Sequence, residues 1–361
     1  MPIRRSAVPS SRSSRSARNR HWQAMPDVHF DEAVPFAVPL RRTFRGVTHR
    51  EGVLVRNGRR WGEWAPFPEY DDHVAARWLA AALEASTGLP PAVRDSVEIN
   101  AIIPAVTAAD AYQLASDAVI NDGCRVVKVK VAESGQEFAA DVERIAAVRA
   151  GLDDAGADEA LIRVDVNGAW TPVEAGERLQ ILDDVAGGLE YAEQPCATLP
   201  ELEVVKRDGH VPIAVDEGIR LAGGVGPTVI DQIRNSADVL ILKAIPLGGV
   251  GVCLELAAEV GLPVTVSGSL DTSIGLASGL ALAAALPHEP RACGLGTGRL
   301  LAADLAERTL VPEQGRLSAV HLQPDPAALA QARISLAPER VEWWNDRLMR
   351  VRNLLESGAL S

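Results

Sequence analysis

The sequence predicts an α/β protein, a modified TIM-like (β/α)8 barrel carrying an α+β capping domain. Three observations predict it. From about residue 97 a β-branched run, a loop and an Ala- and Leu-rich amphipathic stretch recur in turn, the pattern of parallel βαβ units. Eight such runs end near Ile102, Lys130, Asp165, Glu193, Asp216, Lys243, Ser267 and Leu295, about 23 to 35 residues apart, the length of a βαβ step. Eight units suggest a closed barrel. An open doubly wound sheet is the alternative, weakened because the first βα turn lacks GxGxxG.

The elements follow in order. Residues 1–25 are rich in Arg and Ser and contain neither an acidic residue nor an apolar core, so they read as a disordered leader. A basic nucleic-acid arm or a targeting peptide is the other reading, and Met25 is an alternative start. Residues 26–96 form the cap, with strands at Phe36–Leu40 and Gly52–Val55 and a helix from Val74 to Ser86. Residues 97–320 form the barrel, where Pro172 opens one helix and Gly123 and Gly261 close others. Residues 321–361 form a tail whose helix, Pro338 to Glu356, carries Trp343, Trp344, Leu348 and Val351 on one side, a face for packing on cap or barrel.

Composition narrows the function. A chain of 361 residues, 47% hydrophobic and 23% charged, has enough apolar residues for a large core. Its net charge of −12 disfavours nucleic acid, whose phosphates need a positive surface. No apolar run reaches the roughly 18 residues of a membrane span. Cys124, Cys196, Cys253 and Cys293 show no CxxC spacing, which suggests reduced packing residues and a cytoplasmic protein.

In such a barrel, chemistry belongs at the C-terminal ends of the strands. Three successive strands there end in acids: Asp165 after Leu161–Val164, Glu193 after Leu189–Ala192, and Asp216 after Pro212–Val215. Any one of them would be unremarkable as a loop or capping residue. Three converging on one rim repel each other unless a cation sits among them. An all-oxygen set suits Mg²⁺, with Mn²⁺ as the alternative, better than Zn²⁺. Asn167 and Glu217 are placed to orient these ligands.

Lysines flank the acids. Lys128 and Lys130 share one face of the second strand, turned inward if the intervening valines face the helices. Lys243 ends the sixth strand, across the barrel. The arrangement suits abstraction of a proton next to a carboxylate, with a cation and an ammonium stabilising the enolate. Two ammonium groups about 6 Å apart repel by roughly 3 kcal/mol at an effective dielectric of about 20, so Lys128 is expected to help Lys130 give up its proton. A Schiff-base lysine is the rival reading.

Lys-x-Lys at 128–130, Asp-x-Asn at 165–167, Glu193-Gln194-Pro195, Asp216-Glu217 and Lys243 together resemble the muconate lactonizing subgroup of the enolase superfamily, and within it the o-succinylbenzoate synthases. The resemblance runs from about residue 26 to the end. It implies Mg²⁺ bound by Asp165, Glu193 and Asp216, Lys130 as general base and then acid, Lys243 holding the enediolate, and Lys128 tuning Lys130. The reaction it implies is syn dehydration of a succinyl-hydroxycyclohexadiene carboxylate, a small-molecule carboxylate substrate, in menaquinone biosynthesis. It further implies that Ser267, Gly268 and Ser269, with backbone N–H groups of that turn, and Gly294 meet the succinyl group. The segments around Arg45 and Trp61–Pro66 resemble loops that close over the substrate. The same catalytic set serves N-acylamino acid racemases and dipeptide epimerases, which remain the alternative. Monomer and homo-oligomer are both left open.

Overall fold

The computed structural model describes residues 28–44, 46–221, 227–320 and 322–358. The leader 1–25 and Arg45 lie outside the described residues.

The cap begins with three antiparallel strands, β1 (Glu32–Phe44), β2 (Val47–Asn57) and β3 (Arg60–Trp64), in the order β1-β2-β3. Helix α1 (Asp72–Thr87) packs on them, started by Asp71, whose carboxylate accepts from the Val74 amide at 2.8 Å. Gly62 lies so close to α1 that a Cβ there would meet the Ala82 carbonyl oxygen. That contact explains a glycine in a strand interior.

A short strand β4 (Ser96–Glu98) leads into the barrel. Its strands are β5 (Ala101–Ile103), β6 (Val126–Lys130), β7 (Leu161–Asp165), β8 (Leu189–Glu193), β9 (Ile213–Val215), β10 (Val239–Leu242), β11 (Val264–Ser267) and β12 (Arg291–Gly294). All neighbours pair in parallel, and a bridge between Ile99 and Cys293 joins the two ends. Strand β13 (Arg316–Ser318) returns to pair with β4.

The connecting helices are α2 (Ala108–Ile120), α3 (Phe138–Asp154), α4 (Pro172–Ala186), α5 (Leu199–Asp208), α6 (Glu217–Leu221), α7 (Pro227–Ser236), α8 (Ala244–Leu247), α9 (Val250–Val260) and α10 (Ser273–Ala285). Capping boxes at Thr171/Glu174 and Thr198/Glu201 start α4 and α5, and Gly261 ends α9 in the left-handed region. Helices α11 (Pro326–Ile334) and α12 (Pro338–Glu356) complete the chain. Trp344, Leu348 and Val351 of α12 are buried in the cap core with Trp64 and Trp78, so the tail packs on the cap.

Strand alternation sorts the barrel residues. Val127, Val129, Ile162, Val164, Leu240 and Leu242 join the core between strands and helices. Tyr191, Ala214, Val239 and Ile241 form a separate apolar cluster, the inner counterpart of that alternation. The four cysteines are buried and unpaired.

Candidate active site

Register places the predicted residues on matching rungs. Lys130 pairs with Asp165 and Asp165 with Glu193; one step of the pleat below, Lys128 pairs with Arg163 and Arg163 with Tyr191. Asp216 directly follows β9, and Lys243 directly follows β10 as the first residue of the turn into α8. The mouth therefore gathers Lys128, Lys130, Asp165, Glu193, Asp216 and Lys243 from five consecutive strands.

Their charges interlock. Lys128 Nζ lies 2.9 and 2.8 Å from the two Glu193 oxygens and 3.2 Å from Asp165 Oδ2. Lys130 Nζ approaches the same Asp165 oxygen at 3.2 Å, and Lys243 donates to Asp216 Oδ2. Arg220 of α6 adds ion pairs to Asp216 at 3.4 Å and to Glu217 at 3.0 Å. Burial opposes the charge on Lys128, yet Asp165 and Glu193 outweigh it and hold the ammonium well above its ordinary pKa. Burial likewise opposes the charge on Asp165, and Lys128, Lys130 and Lys243 overcome it to hold that carboxyl low. Glu193 differs: burial dominates and pushes its carboxyl up to about 7.

Among the described residues, no three His, Cys, Asp or Glu side chains are gathered as a ready-made metal cage. Lys128 draws Asp165 and Glu193 together, whereas Lys243 and Arg220 draw Asp216 to themselves. The donor chemistry nonetheless fits a hard divalent cation. All three groups are carboxylates, at most 7% exposed, and Glu217 Oε2 beside them is buried without a hydrogen-bond partner. A cation would compete with the ammonium groups for oxygens already held in place.

The neighbouring residues orient these groups. Asn167 Nδ2 donates to Glu217 Oε1 at 3.1 Å. Gln194 Oε1 accepts from the amides of Asp216 and Gly218, both at 3.0 Å, and its Nε2 donates to the Cys196 carbonyl at 2.9 Å, so it fixes the start of α6. Behind Lys130, the buried Arg144 of α3 donates to the Lys130 carbonyl at 3.1 Å and pairs with Asp141 at 2.6 Å. Asp141 Oδ2 in turn accepts from the Ala132 amide at 2.9 Å. At the floor, Arg163 is fully buried and ties β7 to Glu190 of β8 at 2.6 Å, to the Ala292 carbonyl of β12 at 2.6 Å and to Asn100 at 3.0 Å. None of Gln194, Arg144, Asp141 or Arg163 was singled out for these tasks from the sequence. Arg163 had a usable signal, since it stands two residues before Asp165 on the same strand face.

The chain matches the enolase C-terminal domain-like family over residues 110–324 and the enolase N-terminal domain-like family over residues 35–86. It is 47% identical over 322 residues to an o-succinylbenzoate synthase of Thermobifida fusca (strain YX), covering 88% of this chain and 95% of that protein. It is 44% identical over 326 residues to the o-succinylbenzoate synthase of Mycobacterium tuberculosis (strain CDC 1551 / Oshkosh), covering 90% and 95%.

The chain belongs to the enolase superfamily. Its place there is with the o-succinylbenzoate synthases. A muconate lactonizing enzyme from Pseudomonas fluorescens, complexed with muconolactone, shares the superfamily fold at a TM-score of 0.70 and 19% identity, over 83% of this chain and 97% of that one. The L-Ala-D/L-Glu epimerase of Bacillus subtilis does so at 0.66 and 21%, over 81% and 96%. Members of the superfamily depend on a divalent metal.

In this superfamily member the expected substrate turn departs from the sequence reading in one respect. Ser267 ends β11, with Gly268 and Ser269 in the turn that follows, and Gly294 ends β12 so close by that a Cβ there would meet Ser267 Oγ. Several backbone N–H groups of this turn and of the helix start after it donate within the protein. The Gly268 amide donates to the Gly294 carbonyl at 3.1 Å and the Ser269 amide to Asp271 at 2.8 Å. Those of Thr272, Ser273 and Gly275 donate to Glu63, Asp304 and Glu63. The helix terminus already has its anions, so its dipole is satisfied internally. Trp61–Trp64 belongs to β3 rather than to a closing loop, with Trp64 fully buried. Arg45 lies outside the described residues, while its neighbour Gly46 lines a cleft in the cap with His49 and Phe67.

Proposed function

We propose that the chain acts as an o-succinylbenzoate synthase, dehydrating 2-succinyl-6-hydroxy-2,4-cyclohexadiene-1-carboxylate through an enediolate in menaquinone biosynthesis. This makes it a metal-dependent carbon–oxygen lyase. The reading is carried by identity of 43–47% to o-succinylbenzoate synthases over about 90% of the chain. The lysines that flank the acid cluster at the barrel mouth support it.

In this reading Asp165, Glu193 and Asp216 hold Mg²⁺, or Mn²⁺ in its place, oriented by Asn167 and Glu217. Once bound, the cation supplies Lewis-acid stabilisation to a carboxylate whose charge grows as the α-proton leaves. Lys130 Nζ, in its neutral form, takes the α-proton and then gives it to the departing hydroxide. One residue serving both steps from one face accounts for a syn elimination. Lys243, across the mouth, keeps its positive charge against the enediolate. Lys128, between Asp165 and Glu193, adds a fixed positive charge beside Lys130. The cap and the Ser267–Ser269 turn, with Gly294, surround the succinyl end. Among the described residues no helix is long and apolar enough to cross a membrane. A cytoplasmic location accords with four buried free thiols.

The test is turnover of the cyclohexadiene carboxylate with Mg²⁺. Activity should vanish with EDTA, return with added Mg²⁺, and be abolished by Lys130→Ala. Turnover that persists in EDTA counts against the proposal. Lysines on both sides of the mouth also suit a two-base racemase, so N-succinyl amino acids in deuterated water make the parallel arm. Little or no α-deuterium incorporation is expected.

A further inference from the structure

The cap meets the barrel through buried charges that the proton-transfer chemistry does not use. Glu63, the next-to-last residue of β3 and 2% exposed, reaches the N-terminus of α10. Its carboxylate accepts from the Thr272 amide at 3.2 Å, from the Gly275 amide at 3.0 Å and from the Thr272 hydroxyl. Gly275 leaves room for it, since a Cβ there would meet Glu63 Oε2 at 2.7 Å. From the adjacent strand, Arg50 donates Nε to the Leu270 carbonyl at 2.9 Å and Nη2 to the Ala65 carbonyl, with its guanidinium 4.5 Å from the Phe67 ring centre.

The two cap residues therefore grip both sides of Asp271, one at Leu270 and one at Thr272. This is the turn that leaves β11. Leu270 is held at φ 64°, a left-handed conformation unfavourable for a leucine, so the turn needs outside restraint to keep its shape. Asp271 completes the restraint by accepting from the Ser269 amide at 2.8 Å.

We infer that Glu63 and Arg50 are positioning residues that set the shape of the Ser267–Thr272 turn from the cap, and so govern affinity for the succinyl end of the substrate without entering the proton transfer. The inference rests on the proposed synthase reading for the identity of that substrate end. Its structural half, that the cap shapes the turn, stands on the hydrogen bonds alone.

A second cap carboxylate supplies a control. Glu84 of α1 accepts from the Gly251 amide at 2.9 Å and from the Val250 amide, docking the cap on α9 away from the turn. If cap docking alone mattered, loss of either glutamate would act alike, whereas control of the turn predicts a change only on loss of Glu63.

The experiment compares wild type, Glu63→Gln, Thr272→Val and Glu84→Gln with the cyclohexadiene carboxylate and Mg²⁺, and follows hydrogen exchange of the peptide covering 264–276. Thr272→Val removes the hydroxyl that donates to Glu63 and that also accepts from the Ile274 amide at 3.3 Å, so its effect is read beside that of Glu63→Gln, which leaves the Ile274 cap in place. Loss of a charge-assisted hydrogen bond is expected to raise KM about tenfold in Glu63→Gln, with kcat within about twofold of wild type. Thr272→Val should show a smaller rise, and Glu84→Gln none. Exchange in 264–276 should quicken in the first two variants only. Unchanged KM and unchanged exchange in both Glu63→Gln and Thr272→Val overturn the inference, as does an equal KM rise in Glu84→Gln. A wild type that does not turn over the substrate defeats the synthase reading instead, and the exchange comparison still decides whether Glu63 shapes the turn.

Discussion

Replacing Arg144 by methionine would test whether helix α3 holds Lys130 from behind. The guanidinium is 1% exposed, pairs with Asp141 at 2.6 Å, and donates to the carbonyls of Val106 at 2.8 Å and Lys130 at 3.1 Å. Methionine is apolar and cannot donate, so it leaves Asp141 with a buried charge and leaves both carbonyls without this donor. Removing one partner of a buried ion pair costs about 3–5 kcal/mol. At roughly 2 °C per kcal/mol for a chain of this size, Tm should fall by about 6–10 °C in scanning calorimetry. Freeing the Lys130 backbone should lower kcat as well, since a displacement of about 1 Å at a reacting group costs about 100-fold. KM should change little, because the turns proposed to hold the substrate follow other strands. The double variant Asp141→Leu with Arg144→Met removes the stranded charge and should regain most of the lost Tm but not kcat. An Arg144→Met protein that melts with the wild type and keeps full kcat would refute the reasoning.

Three further outcomes are expected. Arg163→Met at the barrel floor should lose only about 1–3 kcal/mol in denaturant unfolding, because Arg291 still pairs with Glu190, and KM should be unchanged. Gln194→Met strips the acceptor from the amides of Asp216 and Gly218 and should weaken Mg²⁺ binding about 10- to 100-fold in calorimetry. Burial first, and then the nearby Asp271, push the Glu63 carboxyl from its ordinary 4.5 up to about 7, against the pull of Arg50 and Thr272. The folded chain then binds more protons than the unfolded one between those values, so this contribution to stability is complete below pH 4.5 and is lost as pH rises towards 7. The stability of wild type minus that of Glu63→Gln should decline across this window, and a flat difference would show the carboxyl to be unperturbed.

The barrel was legible because its strands are short apolar runs whose spacing repeats, and the candidate site because its acids and lysines stand at the ends of those runs. Residues that work by reaching sideways left weaker traces. Asp141 and Arg144 stand three apart on a helix, a spacing that any solvated surface pair shares. Only the packing of α3 against the loop after β6 buries them, and no local pattern reports that. The Trp61–Pro66 segment, taken by resemblance for a loop over the substrate, is instead strand β3 as far as Trp64. Gly62 is there so that β3 can lie against α1, a contact between segments about twenty residues apart. The Ser267–Thr272 turn shows a related case. A helix N-terminus offers free amides, but Glu63 and Asp304 come from distant parts of the chain to fill this one.

Backbone strain at the rim connects these cases. Among the described residues five non-glycine residues have positive φ, and four of them, Ala132, Asn167, Gln194 and Leu270, lie in the turns leaving β6, β7, β8 and β11. Each such conformation is unfavourable by about 1–3 kcal/mol and persists only where neighbours over-determine it. Asp141 takes the amide of Ala132, Asn167 binds Glu217, Gln194 binds the amides of Asp216 and Gly218, and Arg50 holds the carbonyl of Leu270. Strain is thus matched turn by turn with a polar contact on the chain leaving a candidate functional residue. A relaxed turn would let the following backbone drift, and the carboxylates and lysines of the mouth interlock at 2.5–3.2 Å, where small drifts matter. The residues that looked least chemical in the sequence are therefore the ones on which the geometry of the chemical ones depends.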